Sequence, residues 1–328
     1  MTLSAFVTGA SGFLGGHIAR ELQRQGWEVH ALLRSTSSLA DVSDVPVQPH
    51  VGDVTDPASV AAALPPSVDA VFHAAASTNL WAVRNEEQNR VNVAGTRNVL
   101  EAAMAAGAGR FIHTSSFVSW GFQDVVLHED SPRTDATDWI NYVRTKHLSE
   151  QLVLDAAGDG RVDAVVLNPG NILGPGDRHN WSRLFRMLSE RSLPGAPPGG
   201  GNFCDVREVA RAHVRAWRSG RSGARYLLGG EFARYLEVLR IAAEILGTPA
   251  PRRAMPGWLL KAAARAGDAW SRLSRREPEV TPEAAAIATF AIRCESCRAV
   301  SELDYRSVPL SDMVRDTIDW MREASLLP

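Results

Sequence analysis

The sequence predicts an α/β fold, in which a parallel, doubly wound sheet carries helices on both faces and is joined to a smaller, mostly helical C-terminal lobe. Three observations lead there. An apolar stretch at residues 3–7 runs into a glycine-rich turn and then into an amphipathic helix. Apolar runs of strand length then alternate with helical patterns as far as residue 168, the signature of parallel strands joined by crossover helices. Beyond residue 230 the patterns are mostly helical.

The first unit carries the strongest local signal. After the strand come Thr8, Gly9, Gly12 and Gly15, then a helix with Ile18 and Leu22 on its apolar face and Gly26 as its stop. Residues 27–33 form the second strand. Glycines at this spacing permit a tight turn, close approach to a pyrophosphate and close packing of helix on strand, and the free N–H groups at the helix start bind the anion. Further strands are predicted near 47–51, 69–75, 110–115 and 162–168, with helices near 57–64, 84–106 and 140–157. Residues 193–202 hold too many prolines and glycines for regular structure and are assigned to a loop. Residues 203–218 read as a strand turning into a helix, and later helices fall near 234–247, 257–274 and 311–324. Residues 1–168 thus form a nucleotide-binding domain that 203–228 rejoins, while 169–202 and 229–328 form a substrate lobe.

Tyr142 and Lys146 stand out because the chain is almost without lysine: Lys146 and Lys261 are its two lysines among 35 basic residues. At i and i+4 of a helix the two side chains share one face. An ammonium beside a phenol favours the phenolate, which would bring Tyr142 within reach of proton exchange at neutral pH. The bland reading, a solvated surface pair, loses ground beside the N-terminal glycine motif.

Together these motifs resemble the extended short-chain dehydrogenase/reductase superfamily, which implies a Rossmann fold and a nicotinamide cofactor. Gly52, Asp53 and Val54 resemble its acidic turn after the third strand, and His73 with Ala74, Ala75 and Ala76 the end of the fourth. Residues 91–99 resemble the long helix bearing the family's Asn, here Asn92. Thr114, Ser115 and Ser116, with Gly121 following, resemble the strand end that delivers the catalytic Ser. Asn168, Pro169, Gly170, Asn171 and Ile172, followed by Gly174 and Gly176, resemble the segment entering the substrate lobe. The resemblance is dense over residues 3–177 and thin beyond 230.

The roles it implies are as follows. Tyr142 gives a proton to the substrate carbonyl oxygen, Ser116 orients that oxygen, Lys146 holds the nicotinamide ribose, and Asn92 helps to hold Lys146 through the backbone or a water. Ser116 is preferred to Ser115 because it stands five residues before Gly121. The dinucleotide would rest on Gly9, Ser11, Gly12, Phe13, Leu14 and Gly15, on Asp53 and Val54, on Ala74, Ala75, Ala76 and Thr114, and on Pro169 to Ile172. Enzymes of this fold that bind NAD place an acid about twenty residues past the glycine motif. Here Leu33 and then Arg34 occupy that place, and a guanidinium pairs with a 2′-phosphate. NADPH is therefore favoured over NADH.

Two classes of relative remain open: carbonyl reductases of lipophilic or aromatic substrates, resembling dihydroflavonol reductases and 3β-hydroxysteroid dehydrogenases, and sugar-nucleotide epimerases or dehydratases. Arg34 favours the first, as does Asn202, which stands where the second class usually has an Arg. Ser77, Trp81, Phe117, Trp120, Asn171, Trp181 and Phe203 fall in segments expected to line an apolar substrate pocket. A non-catalytic NADPH-binding protein is the reading outside the enzymes.

Composition bounds the rest. A net charge of −2 with scattered arginines gives no field for nucleic acid. No apolar run reaches transmembrane length, and a strand starting at residue 3 leaves no place for a signal peptide, so a cytoplasmic enzyme is expected. The three cysteines suggest neither a disulfide framework nor a metal site. The helices at 84–106 and 140–157 are those the superfamily uses for a homodimer. Residues 257–274 carry Trp258, Leu259, Leu260, Ala263, Trp270 and Leu273 beside Lys261, Arg265, Arg272, Arg275 and Arg276. Such a stripe more often packs on its own protein, here as a lid over the substrate, than on a membrane surface.

Overall fold

The alternating pattern becomes seven parallel strands. The computed structural model describes residues 2–37 and 45–327, apart from the side chain of Arg272. The first half runs β1 (Ser4–Thr8), α1 (Phe13–Arg24), β2 (Glu28–Leu33), β3 (Gln48–Val51), α2 (Pro57–Ala63) and β4 (Ala70–His73). A helical run follows, made of α3 (Asn85–Asn89), one π-helical turn at Arg90–Ala94 and α4 (Gly95–Ala105). Then come β5 (Arg110–Thr114), β6 (Val126–Leu127), α5 (Asn141–Gly158) and β7 (Ala164–Pro169). The second half holds β8 (Asn171–Leu173), α6 (Trp181–Ser189), β9 (Gly200–Asp205), α7 (Val206–Ser219), β10 (Arg225–Leu228), β11 (Phe232–Arg234), α8 (Tyr235–Leu246), α9 (Gly257–Ser274), α10 (Pro282–Ile287), β12 (Ala291–Cys294), α11 (Cys297–Leu303) and α12 (Leu310–Glu323).

The main sheet has the order β10-β7-β5-β4-β1-β2-β3, and all its pairs are parallel. Strand order reverses between β1 and β4, and a crevice opens at that point in such sheets. One face buries Ile18 and Leu22 of α1 with Val209 and Ala212 of α7. The other buries Val60 of α2, Val99 of α4 and Val153 of α5. With apolar side chains covered on both sides, the strands read as continuous hydrophobic runs.

A second sheet, β11-β9-β12-β6 with β8 on β9, organises the C-terminal half. It corrects the expectation of a loop over 193–202, because β9 begins at Gly200. A Cβ on Gly199 would lie 2.2 Å from Phe290 O, and one on Gly200 2.6 Å from Ala233 O. These glycines admit neighbouring backbone instead of breaking structure. Among the described residues, no helix is long and apolar enough to cross a membrane.

The helix α9 matches its expected span, but not its expected packing. Leu260 and Ala264 are buried against Ala285 of α10 and Ser271 is buried too, whereas Trp258, Leu259, Trp270 and Leu273 are exposed. Of the apolar stripe expected to pack inward as a lid, Leu260 does so, whereas Trp258, Leu259, Ala263, Trp270 and Leu273 face out.

Candidate active site

At the β1 end, Gly9 adopts φ +75° and its carbonyl accepts Gly12 N–H at 2.9 Å. A Cβ on Gly15 would stand 2.1 Å from Gly9 O, and one on Gly9 2.8 Å from Ala75 N. The turn therefore tolerates only glycine at both places. Gly12 caps α1 without any side-chain hydrogen bond, so the first N–H groups of the helix are open to an anion.

Above this turn lies a cleft of about 550 Å³, lined by Gly9, Ser11, Gly12, Arg34, Asp53, Val54, Ala74, Ala75, Ala76 and Ser77. The residues expected at the adenosine and pyrophosphate end thus come together. Asp53 Oδ1 accepts Thr55 N–H and Thr55 Oγ1–H, both at 2.8 Å. Phe13 and Leu14 send their side chains elsewhere: Phe13 meets His17 edge-on, and Leu14 packs on the main core. Glu87 and Arg90 also line the cleft and were missed by sequence reasoning. The available signal was the spacing of Glu87, three residues before Arg90 and four before Val91, on one helical run. The glycine cradle, the uncapped helix start and the cleft fit a dinucleotide.

On the other side of β4, Tyr142 on α5 stands beside Ser116, whose hydroxyl favours the phenolate form. Ser116 lies beyond β5; its Oγ accepts Val118 N–H at 3.4 Å and donates to Pro169 O at 3.5 Å. Lys146 is buried, and its Nζ donates to Thr114 O at 2.7 Å. This corrects the expectation of a lowered Tyr142 pKa. Burial pushes the phenol up to about 12, with the Ser116 hydroxyl opposing it, so Tyr142 holds its proton at neutral pH. Burial pushes Lys146 down to about 8, opposed by the Glu150 carboxylate.

Asn92 sits in the π-helical turn, a local feature common at functional sites. Its amide accepts Ser77 N–H at 2.7 Å and donates to Ser77 O and to Thr145 Oγ1, each at 3.0 Å. Among the described residues it thus braces the Ser77 segment and the neighbour of Lys146; the direct partner of Lys146 is Thr114. Beneath lie three buried histidines. His73 bonds Thr8 and Thr96, His213 bonds Thr114, and His113 stacks on His73 with ring centroids 5.5 Å apart. Burial pushes His73 down to about 3 and His213 down to about 4, and holds His113 well below its usual value.

The apolar surroundings of Tyr142 differ from those expected. Phe117, Phe122, Ile140 and Val143 cluster with Tyr142, Ile287 and Phe290, and Phe122 stacks on Phe290 at 4.6 Å. Ile287 and Phe290 come from the thinly patterned C-terminal half. Trp81 is partly buried, with its indole N–H unpartnered. Trp120, Trp181 and Phe203 are corrections. Trp120 is fully buried and donates to Ser131 O at 3.1 Å, while Trp181 and Phe203 pack with Tyr235 in the C-terminal core. A helix or strand face that meets a core draws its aromatics inward. Asn171 is engaged by strand partners, its Nδ2 donating to Asn202 O at 3.3 Å. Asn202 itself is buried, accepting Cys294 N–H and donating to Gly230 O. Its side chain knits the second sheet together and faces no open clamp.

The family model described as NAD dependent epimerase/dehydratase family matches residues 5–229. The chain belongs to that family. Among family relatives, a Synechocystis protein provisionally named dihydroflavonol 4-reductase is 31% identical over 97% of this chain and 94% of its own. Sterol demethylase protein B of Methylococcus capsulatus is 30% identical over 99% of this chain and all of its own. The crystal structure of gox2253 superposes with a TM-score of 0.86 at 29% identity, covering all of both chains. As a member of the epimerase/dehydratase family the chain is an enzyme of a nicotinamide-dependent superfamily that includes reductases.

Proposed function

We propose that this protein is an NADPH-dependent reductase of a ketone or aldehyde on a lipophilic or aromatic small molecule. The observation that carries the reading is the setting of Tyr142: a protonated phenol beside the Ser116 hydroxyl, packed among Phe117, Ile287 and Phe290. The dinucleotide, when bound, supplies the hydride. Tyr142 Oη holds the proton that the carbonyl oxygen takes up, and Ser116 Oγ donates a hydrogen bond to the same oxygen. Lys146 is the cation at the ribose end of the site, while Asn92 fixes the Ser77 segment. Arg34, exposed at the cleft, meets the 2′-phosphate, and no acid replaces it at position 33. The names of the two full-length relatives, a reductase of a flavonoid and a protein of sterol demethylation, support a lipophilic substrate. A homodimer through α4 and α5 and a division into nucleotide and substrate domains belong to the same reading.

The epimerase and dehydratase chemistry named in the family's description is the second reading. The test is NADPH absorbance with aryl ketones, flavanonols and steroid ketones, set against UDP- and TDP-sugars. Falling absorbance with the lipophilic carbonyls is expected. Conversion of a nucleotide sugar with no net NADPH loss would promote the second reading.

A further inference from the structure

We propose that the outer face of α9 docks this protein on an anionic lipid bilayer. The helix has two sides of different character. Leu260, Ala264 and Ser271 are buried; opposite them Trp258, Leu259, Trp270 and Leu273 are 72, 41, 69 and 79% exposed. At 3.6 residues per turn these four side chains, with the exposed alanines between them, cover an arc of roughly 140° containing no charged residue. A contiguous exposed patch of this kind marks an interaction site.

The charge around the patch selects the partner. Lys261 and Arg265 are exposed along one edge of the arc, Arg252 and Arg253 precede the helix, and Arg275 and Arg276 follow it. Asp268 is the one acid in the sequence from 252 to 276. This concentration stands in a chain of net charge −2, so it is a local feature. A second copy meeting the same face would bring arginines against arginines, since a twofold contact pairs a patch with itself. An anionic membrane supplies the opposite charge, and Trp and Leu above a basic edge are the pattern of helices that lie in a bilayer interface. Past the end of α9, Glu277 Oε1 accepts Asn79 Nδ2–H at 3.2 Å. Asn79 belongs to the segment that Asn92 and Gln88 pin beside the cleft. The docked face therefore adjoins the site's mouth.

The inference stands independently of which substrate is reduced, and its test needs no turnover. The full-length protein is sedimented with phosphatidylcholine vesicles with and without phosphatidylserine, at low and high salt. Binding to the phosphatidylserine vesicles is expected, weaker by about tenfold or more without that lipid or at high salt. The variant carrying Trp258→Ser, Trp270→Ser and Leu273→Ser should remain in the supernatant with an unchanged melting temperature. Absence of the parent protein from the phosphatidylserine pellet overturns the proposal, as does equal binding by the variant. A solution dimer that the same variant converts to monomer would assign the face to a second copy, and would overturn it too.

Discussion

Glu150 Oε2 accepts the Ser115 hydroxyl at 2.5 Å, deep in the protein, and this turns Ser115 away from its neighbour's task. Asn168 donates to the same oxygen at 2.6 Å, and Arg225 stands 3.4 Å from the other. The two adjacent serines therefore serve different ends, with Ser116 alone facing Tyr142. Ser116→Ala is expected to cost about 10²-fold in turnover, as loss of an oxygen-stabilising donor does. Ser115→Ala should instead cost about 1–2 kcal/mol of stability by leaving a buried carboxylate short of a donor. Steady-state rates and denaturant melts on both variants check the division.

Tyr142→Phe keeps the ring and removes the proton donor. Cofactor affinity should hold while nearly all turnover disappears. Lys146→Arg keeps a charge but not the compact head that reaches Thr114 O, and should impair both binding and rate. Fluorescence titration with NADPH and single-turnover kinetics separate the two effects. Substantial turnover in Tyr142→Phe would assign the proton to another group.

Arg34→Asp turns an attraction for the 2′-phosphate into a repulsion. NADPH affinity is expected to fall by one to two orders of magnitude, with NADH use kept or improved. Equal kcat/KM for NADPH and NADH in the unaltered enzyme would remove the assignment of Arg34.

The alkaline limb of the rate profile should report Lys146, held at about 8. A lysine loses its charge as pH rises through its pKa, so kcat/KM should fall above that value. His73 and His113 also lie near this ammonium, but both are neutral there. Glu150→Gln removes the carboxylate that raises the Lys146 pKa, and should move the limb to lower pH. An unmoved limb in that variant would mean that the carboxylate does not act on Lys146.

Acid should unfold the protein through His73, His113 and His213. Each has a folded pKa below its unfolded value of about 6.5, so the unfolded chain binds more protons as pH drops. The stability they confer is intact above about pH 6.5 and is lost as pH falls towards about 4 for His213 and about 3 for His73. Within that window each buried histidine costs ~1.4 kcal/mol per pH unit. Melting temperature followed from pH 7 downward measures this; a flat profile to pH 4.5 would show that the histidines are charged in the folded protein.

The sequence made the first half of the fold legible because its signals are local. The turn at Gly9 to Gly15 and the periodicity of α1, α4 and α5 need no distant partner to be read. Strands such as β6, with two residues, or β11, with three, carry no period at all and exist only through pairing with β12 and β9. Gly199 and Gly200 were misread for the same reason, since the backbone they admit comes from residues 290 and 233. In the site, the residue types at Ser116, Tyr142 and Lys146 announced themselves, whereas the direction of the Tyr142 shift depends on burial that one chain segment cannot reveal. Trp181 and Phe203 were placed at the pocket by their position along the chain, and packing with Tyr235 took them into the core.

The order of strands also fixes when the main sheet can close. The outer edge of β7 is covered by β10, which leaves the ribosome only after β8, α6, β9 and α7 have been made. At ordinary synthesis rates that delay is on the order of several seconds, during which a nascent six-stranded sheet presents an unpaired rim of Val166, Leu167 and Asn168. Chaperone engagement of that rim would be a property of the growing chain alone, gone from the finished enzyme.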